Sequence, residues 1–306
     1  MVIDIKGLSL YKKIGGFLGA KTYKIIDDFT LSIKDITSTT LYGDKYSGKY
    51  HIARMIIKLI KPSKGEVIYN GIDILKLPNK DLNKVRRKIN LIFKDPIGMF
   101  NNRMNIFENI KWICEMVGVR DFKWIFTDLL SKFNIGLDKL DLYPMQVTIF
   151  ERLLISIARS MALEPELLIL ENPTLLIEWN KRQDLVKFIE YIKREYNISL
   201  LIFTSDLGLL KSYGDMIGIL HMGRLIEYGV REEVIKEPLH PYVKWLLSVD
   251  QRIMDIEDIV EYSDGIAVKY IDGCRYKNCI FRDKICENAI DTIYRDNRSV
   301  KCVLYK

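Results

Sequence analysis

The sequence predicts an α/β fold in which helices cover both faces of a parallel β-sheet. Two short, almost wholly apolar runs, at residues 167–170 and 200–203, are typical of strands buried on both faces of such a sheet. A strand ending at residue 42 leads into a glycine-containing loop, and apolar residues then recur at helical spacing over residues 51–59. Helical periodicity also dominates residues 102–163, which indicates a helical insertion between the strands.

The start of the chain predicts short antiparallel strands, including residues 2–5 and 29–33, joined by a glycine-rich stretch at residues 15–19. Its first residues alternate apolar and polar side chains and lack the charged, apolar and small segments of a signal peptide. No apolar run approaches the roughly 20 residues that a membrane-spanning helix requires. We therefore expect a cytoplasmic protein that is soluble or reaches a membrane through a partner.

Length and composition predict a core domain with an appended piece, because 306 residues exceed the usual size of one compact domain. Hydrophobic residues make up 48% of the chain, enough to bury a full core. The formal charge is +7, but Lys and Arg are spread along the chain among 40 acidic residues. A nucleic-acid-binding surface is therefore not expected.

The loop after residue 42 has the G-x-x-x-x-G-K spacing of a phosphate-binding loop, formed by Gly43, Gly48 and Lys49. Between a strand and a helix, this spacing places backbone N–H groups, the positive helix end and an ammonium around a phosphate. The next residue should be a Ser or Thr that binds Mg²⁺, but it is Tyr50, whose rigid phenol cannot replace a short hydroxyl. The pattern predicts phosphate binding and argues against magnesium-dependent catalysis. An accidental glycine turn before a helix is the alternative.

Further segments follow the loop in a characteristic order, at residues 92–96, 143–144, 157–165, 167–174, 203–207, 221–229 and 238–242. Together with the loop they resemble the ATP-binding subunits of ABC importers, most closely the oligopeptide and dipeptide importer branch. The resemblance implies a P-loop NTPase core with an antiparallel β subdomain and a helical subdomain at about residues 95–163. It implies a nucleotide-binding domain at residues 1–247 and a small Cys-rich C-terminal extension at residues 248–306.

The departures from this family fall where ATP hydrolysis should occur. After the strand at residues 167–170 the family has an Asp that holds Mg²⁺ and a Glu that polarises the attacking water, but this chain has Glu171 and Asn172. An amide cannot act as a general base. Ser205 stands in place of the histidine that contacts the γ-phosphate, and Lys94 replaces the glutamine that senses Mg²⁺. Lys94 either brings positive charge toward the phosphates or is an exposed side chain.

The signature segment of the family, ordinarily Leu-Ser-Gly-Gly-Gln, falls on Val147, Thr148, Ile149, Phe150 and Glu151. Both glycines are bulky apolar residues here, so the backbone cannot lie against a partner's nucleotide as it does in the family. Thr148 keeps a hydroxyl at the Ser position. With the catalytic departures, this segment predicts a chain with little or no ATPase activity of its own.

The resemblance implies a heterodimer in which two subunits sandwich two ATP molecules and a competent sister subunit carries out hydrolysis. It also implies two transmembrane permease subunits, an extracellular substrate-binding protein, and a position at the cytoplasmic face of the membrane. The cargo would be peptides or oligosaccharides. By position, Tyr11 is the aromatic residue that stacks on adenine, or else an ordinary edge-strand tyrosine. The implied nucleotide contacts are Tyr11, Gly43, Ser47, Gly48, Lys49 and Tyr50.

Residues 95–109 match the groove that receives a coupling helix from the membrane subunit. Met99, Phe100 and Met104 suit an adaptable helix-binding surface. They also suit the core of a helical subdomain.

Four of the five cysteines, Cys274, Cys279, Cys286 and Cys302, crowd near the end of the sequence, whereas Cys114 stands alone. Four thiolates suffice for a tetrahedral Zn²⁺ or a four-iron four-sulfur cluster. A reducing compartment favours a metal over disulfides. The spacing resembles the carboxy-terminal cysteine motif of the peptide-importer branch, which implies an iron–sulfur cluster. Zinc, disulfides and unbound thiols are alternatives.

Two other functions also fit parts of the sequence. An autonomous P-loop ATPase with unorthodox catalytic residues would act without a sister subunit. An iron–sulfur or redox sensor on an inactive ATPase scaffold would make the cysteine tail the functional part.

Overall fold

The computed structural model describes residues 3–14, 21–120, 122–248, 274, 276, 279, 284–288, 290–295 and 298–305. These residues form two compact units. The first unit comprises Ile3–Lys76 and Phe203–Lys306, and the second comprises Leu77–Ile202. None of the described helices is long and apolar enough to cross a membrane. The glycine-rich stretch at residues 15–19 lies outside the described residues.

The strands are, in chain order, β1 (Ile3–Ile14), β2 (Lys21–Ile33), β3 (Ser38–Gly43), β4 (Lys64–Tyr69), β5 (Ile72–Asp73), β6 (Ile89–Ile92), β7 (Leu167–Glu171), β8 (Ser199–Thr204), β9 (Met216–His221), β10 (Arg224–Val230), β11 (Ile293–Arg295) and β12 (Arg298–Val300). The helices are α1 (Lys49–Ile56), α2 (Asn79–Lys88), α3 (Ile106–Met116), α4 (Lys123–Lys132), α5 (Ile149–Met161), α6 (Arg182–Tyr196), α7 (Leu207–Ser212), α8 (Arg231–Lys236) and α9 (Pro241–Ser248). The predicted antiparallel start, strand–loop–helix segment and helical insertion are confirmed.

An antiparallel sheet in the first unit has the strand order β2-β1-β4-β5. Its first two strands are longer than the sequence predicted, because their pairing runs from Ile3 opposite Ile33 to Ile14 opposite Lys21. Several register shifts interrupt this pairing. They accommodate residues that break the alternation of apolar and polar side chains, and these breaks are the reason why the sequence predicted shorter strands.

A second sheet contains the other strands of the first unit, which are β3, β9, β10, β11 and β12. β3 pairs in parallel with β9, which places Gly43, at the end of β3, opposite Leu220. β9 pairs antiparallel with β10, and β12 extends the sheet beyond β10. The tail, in which the sequence pattern showed no clear period, therefore contributes β11 and β12 to this sheet.

The second unit contains the parallel pair β6 and β7, aligned from Ile89 opposite Leu167 to Ile92 opposite Leu170. Every residue of β7 is buried, and β8, in which the chain passes back into the first unit, is buried throughout as well. α6 lies between these two strands in the chain. The two apolar runs are thus strands buried on both faces, as predicted.

A fully buried carboxylate joins three segments of the first unit. Glu227, on β10, is 0% exposed and accepts hydrogen bonds from the backbone N–H groups of Leu239 (3.0 Å) and His240 (2.7 Å). It also pairs with the guanidinium of Arg298 on β12. Burial raises the pKa of Glu227, although the two N–H groups and Arg298 act to lower it. Residues 238–242 are therefore held to β10 through hydrogen bonds of their backbone.

We expect Glu227→Ala to destabilise the protein by about 3–5 kcal/mol, because it leaves the Arg298 guanidinium buried without its counter-charge. Urea unfolding followed by circular dichroism measures this loss. Glu66→Ala is the matched control, since Glu66 pairs with Lys76 on an exposed surface, and its effect should stay below about 1 kcal/mol. Equal effects of the two substitutions would contradict the prediction.

Candidate functional site

The predicted phosphate loop lies between β3 and α1 with the expected frame. Gly48 has a φ of 79°, in the left-handed region that favours glycine, and a Cβ there would collide with the side chain of Ile26. The backbone N–H groups of His51 and Ile52 donate to the Gly48 carbonyl at 2.8 and 3.2 Å, which begins the helix. The predicted strand–glycine loop–helix arrangement is therefore present.

Lys49 is buried inside this loop. Its side chain is 2% exposed, and Nζ donates to the carbonyls of Gly43 at 2.6 Å and Asp44 at 2.8 Å. Nζ also lies 4.8 Å from the centre of the Tyr50 ring, within range of a cation–π interaction. The ammonium thus lies against the oxygens of its own loop.

Asp44 is a residue of the loop that the sequence reasoning did not select. Its Oδ1 accepts a hydrogen bond from the backbone N–H of Tyr46 at 2.9 Å, and its main-chain oxygen accepts from Ser47 Oγ at 2.8 Å. Burial raises the pKa of Asp44, while the N–H groups of Tyr46 and Ser47 and the charge of Lys49 act to lower it. An acidic residue directly after the first glycine of an anion-binding loop was the signal that could have identified it.

The two tyrosines predicted to contact nucleotide lie in the first unit, as the loop does. Tyr50 is half-buried in the first turn of α1, and its carbonyl accepts a hydrogen bond from the Arg54 guanidinium at 2.9 Å. Tyr11 is half-buried on β1, where its backbone N–H donates to Ser63 Oγ at 2.9 Å. Lys64 Nζ lies 5.9 Å from the centre of the Tyr11 ring.

The residues at the catalytic positions of the family differ in exposure. Glu171, at the end of β7, and Asn172 are 1% and 3% exposed, and Asn172 has a φ of 48° in the left-handed region, which Asn tolerates better than most residues. Lys94 is exposed, two residues after β6. Ser205 is exposed and precedes Asp206, whose Oδ1 accepts a hydrogen bond from Gly208 at the start of α7.

The signature segment forms the start of α5, and the chain caps this helix itself. Thr148 Oγ1 accepts a hydrogen bond from the Glu151 N–H at 3.2 Å, and Glu151 Oε2 accepts from the Thr148 N–H at 2.8 Å. Lys139 Nζ lies 3.5 Å from Glu151 Oε1. Burial acts to raise the pKa of Glu151, but the bonds from Thr148 and the charge of Lys139 outweigh it, so the pKa is lowered. The T-x-x-E pattern of a capping box was the signal for this arrangement.

The two apolar residues that replace the signature glycines lie beside a groove of about 690 Å³ in the second unit. Ile149 is 37% exposed, and Lys181 Nζ lies 5.6 Å from the centre of the Phe150 ring. Val147 is 4% exposed, and its carbonyl accepts a hydrogen bond from the buried Arg152 at 3.0 Å. The surface at the start of α5 is therefore covered by side chains.

The region predicted to receive a coupling helix is partly core. Phe100 is 8% exposed, and the guanidinium of Arg159 lies 4.8 Å from the centre of its ring. Arg159 Nη1 also donates to the Met99 carbonyl at 2.7 Å, and burial lowers the pKa of Arg159 to about 10. Met99 and Met104 are half-buried. Phe100 thus belongs to the helical core, the second of the two predicted roles.

The tail cysteines do not form a metal site in the described chain. Cys286 and Cys302 are buried, Cys274 and Cys279 are half-buried, and no disulfide joins any of the described cysteines. Burial raises the pKa of Cys302 to about 11, and the other three thiols add to this shift. Among the described residues, however, no three or more His, Cys, Asp or Glu side chains are arranged to hold a metal ion. The arrangement of the described residues therefore does not support the expected iron–sulfur cluster or zinc ion, which stays a prediction.

Sequence comparison identifies relatives of known class. A family model described as ABC transporter matches residues 26–175. The oligopeptide transport ATP-binding protein OppF of Streptococcus mutans is 31% identical over 279 residues, covering 86% of this chain and 89% of that protein. The dipeptide transport ATP-binding protein DppF of Lactococcus lactis is 30% identical over 256 residues, covering 81% of this chain and 80% of that protein.

Solved structures show the same fold. The structure of cbiO1 from Clostridium perfringens, part of an ABC transporter complex, matches with a TM-score of 0.66 and 20% identity, covering 85% of this chain and 98% of that one. An ATP-binding cassette solved as a dimer bound to ADP and Pi matches with a TM-score of 0.65 and 19% identity, covering 75% and 98%. The P-loop NTPase fold expected from the sequence is therefore confirmed. The chain belongs to the ABC transporter ATP-binding subunits, in the oligopeptide and dipeptide importer branch.

Proposed function

We propose that this chain is a catalytically degenerate nucleotide-binding subunit of a heterodimeric peptide importer, in which a sister subunit hydrolyses ATP. The observation that carries the proposal is Asn172, a buried residue that follows Glu171 where the family has its general base. Its amide cannot accept a proton from water at neutral pH. Loss of a positioned general base typically lowers the rate about 10²–10⁴-fold.

The phosphate loop supports weak or structural nucleotide binding. Gly43, Gly48 and Lys49 keep the frame that surrounds a phosphate. Tyr50 provides no short hydroxyl for Mg²⁺, and the ammonium of Lys49 is bonded to loop carbonyls, so a nucleotide would have to draw it away. In this proposal Tyr11 provides the stacking surface for adenine.

The signature segment supports an altered contribution to the sister subunit's site. In the family, that site lies between one subunit's phosphate loop and the other's signature. Here the carboxylate of Glu151 accepts a hydrogen bond from the backbone N–H of Thr148 at the start of α5. The bulky side chains of Ile149 and Phe150 lie in the same turn. A phosphate approaching this helix end meets negative charge where the family provides a neutral glutamine.

The remaining partners follow from family membership. In this proposal residues 1–247 form the nucleotide-binding domain, and residues 248–306 form an extension. The complex includes two transmembrane permease subunits and an extracellular substrate-binding protein, with this chain at the cytoplasmic face of the membrane. Residues 95–109 lie where a permease coupling helix would dock, with Met99 and Met104 as half-exposed contacts. Peptides are the favoured cargo, because the relatives are named as oligopeptide and dipeptide transport proteins.

We expect the isolated chain to hydrolyse ATP at least about 100-fold more slowly than the complex purified from its native membrane, because it lacks a general base. Steady-state phosphate release measures both rates. Lys49→Ala in this chain should leave the rate of the complex within about threefold, whereas loss of the corresponding lysine in the sister subunit should abolish it. Turnover by the isolated chain that disappears with Lys49→Ala would instead identify an autonomous ATPase.

We expect Glu151→Gln to raise kcat/KM for ATP in the complex by about twofold to fivefold, because it removes a negative charge from the helix end that faces the sister subunit's nucleotide. Gln keeps the capping bond, so α5 should remain intact. Glu190→Gln makes the same change at an exposed position of α6 and should have no effect. An unchanged kcat/KM for Glu151→Gln would exclude contact between this signature and the nucleotide.

A further inference from the structure

A cavity of about 430 Å³ lies in the first unit, between β2 on one side and β10, β11 and β12 on the other. Thr37, which lines it, directly precedes β3, whereas Gly43 ends β3 and begins the phosphate loop. The length of β3, about 16 Å at about 3.3 Å per residue, therefore separates the cavity from that loop. Pockets for small molecules measure about 300–1,000 Å³, so this one suits a single small ligand.

Three residues of neighbouring strands form one row across a wall of this cavity. Ser299 on β12 is opposite Tyr294 on β11 and also opposite Tyr228 on β10. Directly opposite residues of antiparallel strands point to the same face of a sheet, and neighbouring strands are about 4.8 Å apart. The Cα atoms of the two tyrosines are thus about 10 Å apart, with the small Ser299 side chain between them. All three residues line the cavity.

The ring of Tyr228 lies toward β9. Tyr228 is opposite Gly218 of that strand, and a Cβ at Gly218 would come within 3.1 Å of Tyr228 Cδ2, so the ring uses the room that glycine provides. On the other side of the row, Tyr294 is 71% exposed, and most of its ring can contact a ligand. Two aromatic rings therefore stand on either side of Ser299, and we call this arrangement the tyrosine slot.

The polar groups of the cavity favour a neutral ligand that forms hydrogen bonds. Its charged residues are Lys34, Lys301, Asp28 and Asp215, whose formal charges sum to zero. Lys301 Nζ lies 2.9 Å from Asp28 Oδ2, and Asp215 Oδ2 accepts hydrogen bonds from the Ser38 N–H at 2.7 Å and the Ser38 hydroxyl at 2.9 Å. Threonine and serine hydroxyls on both walls can donate and accept. A phosphate gains no net attraction here, whereas the N–H and C=O groups of a neutral heterocycle find partners.

We propose that this cavity binds a nucleoside or a free nucleobase, whose planar ring stacks in the tyrosine slot between Tyr228 and Tyr294. Every base has a flat aromatic face, so the slot accepts more than one kind of base. The edge of the ring meets the hydroxyls of the walls and the carboxylate of Asp215. This site requires no phosphate and lies apart from the phosphate loop, so it goes beyond the proposed function and does not depend on it.

The test is calorimetric titration of the full chain with adenosine, guanosine, cytidine and uridine, all of which lack phosphate. We expect at least one of them to bind with a Kd below about 1 mM. Tyr294→Ala should weaken this binding by about fivefold to 100-fold, because it removes one stacking surface. Tyr294→Phe keeps the ring, and its Kd should stay within about threefold of the wild-type value.

Three controls locate the effect. Ser299→Leu places a bulky side chain between the two rings and should abolish binding. Tyr143→Ala removes an exposed tyrosine of the second unit and should alter Kd by less than about twofold. Maltose, a neutral sugar whose rings are not planar, should not bind. Circular dichroism of each variant checks that the fold is retained.

Failure of all four nucleosides to bind overturns the inference. Binding that either Tyr294→Ala or Ser299→Leu leaves unchanged also overturns it, because the nucleoside would then lie elsewhere, for example on Tyr11. Binding of maltose without any nucleoside would assign the cavity to sugars and has the same consequence. Should Ser299→Leu not fold, the comparison of Tyr294→Ala with Tyr294→Phe decides, since Tyr294 is too exposed for its replacement to disturb the core.

Discussion

A charged group that a fold buries needs a polar partner, and this requirement fixes the positions of several charged residues in the structure. Glu227 holds Arg298 and two backbone N–H groups, and Arg159 reaches the carbonyl of Met99. Lys49 follows the same rule by donating to the carbonyls of its own loop. Because a buried ion without a partner costs several kcal/mol, each of these residues is a structural element of its unit. Lys49 therefore has a structural role in a loop where Tyr50 stands at the position of the family's Mg²⁺-binding hydroxyl.

The positions that differ from the catalytic residues of the family still have side chains that suit their backbone conformation. Asn172 adopts a left-handed conformation that an Asn side chain tolerates, and Thr148 still begins α5 as its N-terminal cap. Gly48 keeps the positive φ that joins the loop to α1. The fold constrains backbone shape at these positions, whereas hydrolysis constrains the side chain. Under the proposed function, the side chains at these positions can change while the backbone shape stays the same.

Much of the fold could be predicted because its signals are local. The wholly apolar run that became β7 and the glycine frame around Lys49 are visible in a few consecutive residues. The pairing of β12 with β10 was not predictable, since three residues near the end of the sequence carry no period of their own. Asp44 and the ion pair of Lys139 with Glu151 were missed for a different reason. Their roles depend on where a side chain meets backbone N–H groups or a distant charge, which spacing alone does not reveal. Phe100 looked suited to a surface because nothing in the sequence places Arg159 over its ring.

The division of the chain also orders its folding during synthesis. The second unit, Leu77–Ile202, is continuous and can be complete while the ribosome is still translating downstream residues. The first unit is assembled from both sides of it, and the carboxylate of Glu227 lacks its guanidinium partner until Arg298 has been made. Until then β10 lacks both its partner strand β12 and the counter-charge of Glu227. The edge of the sheet at β10 is therefore among the last parts of the first unit to be completed during synthesis.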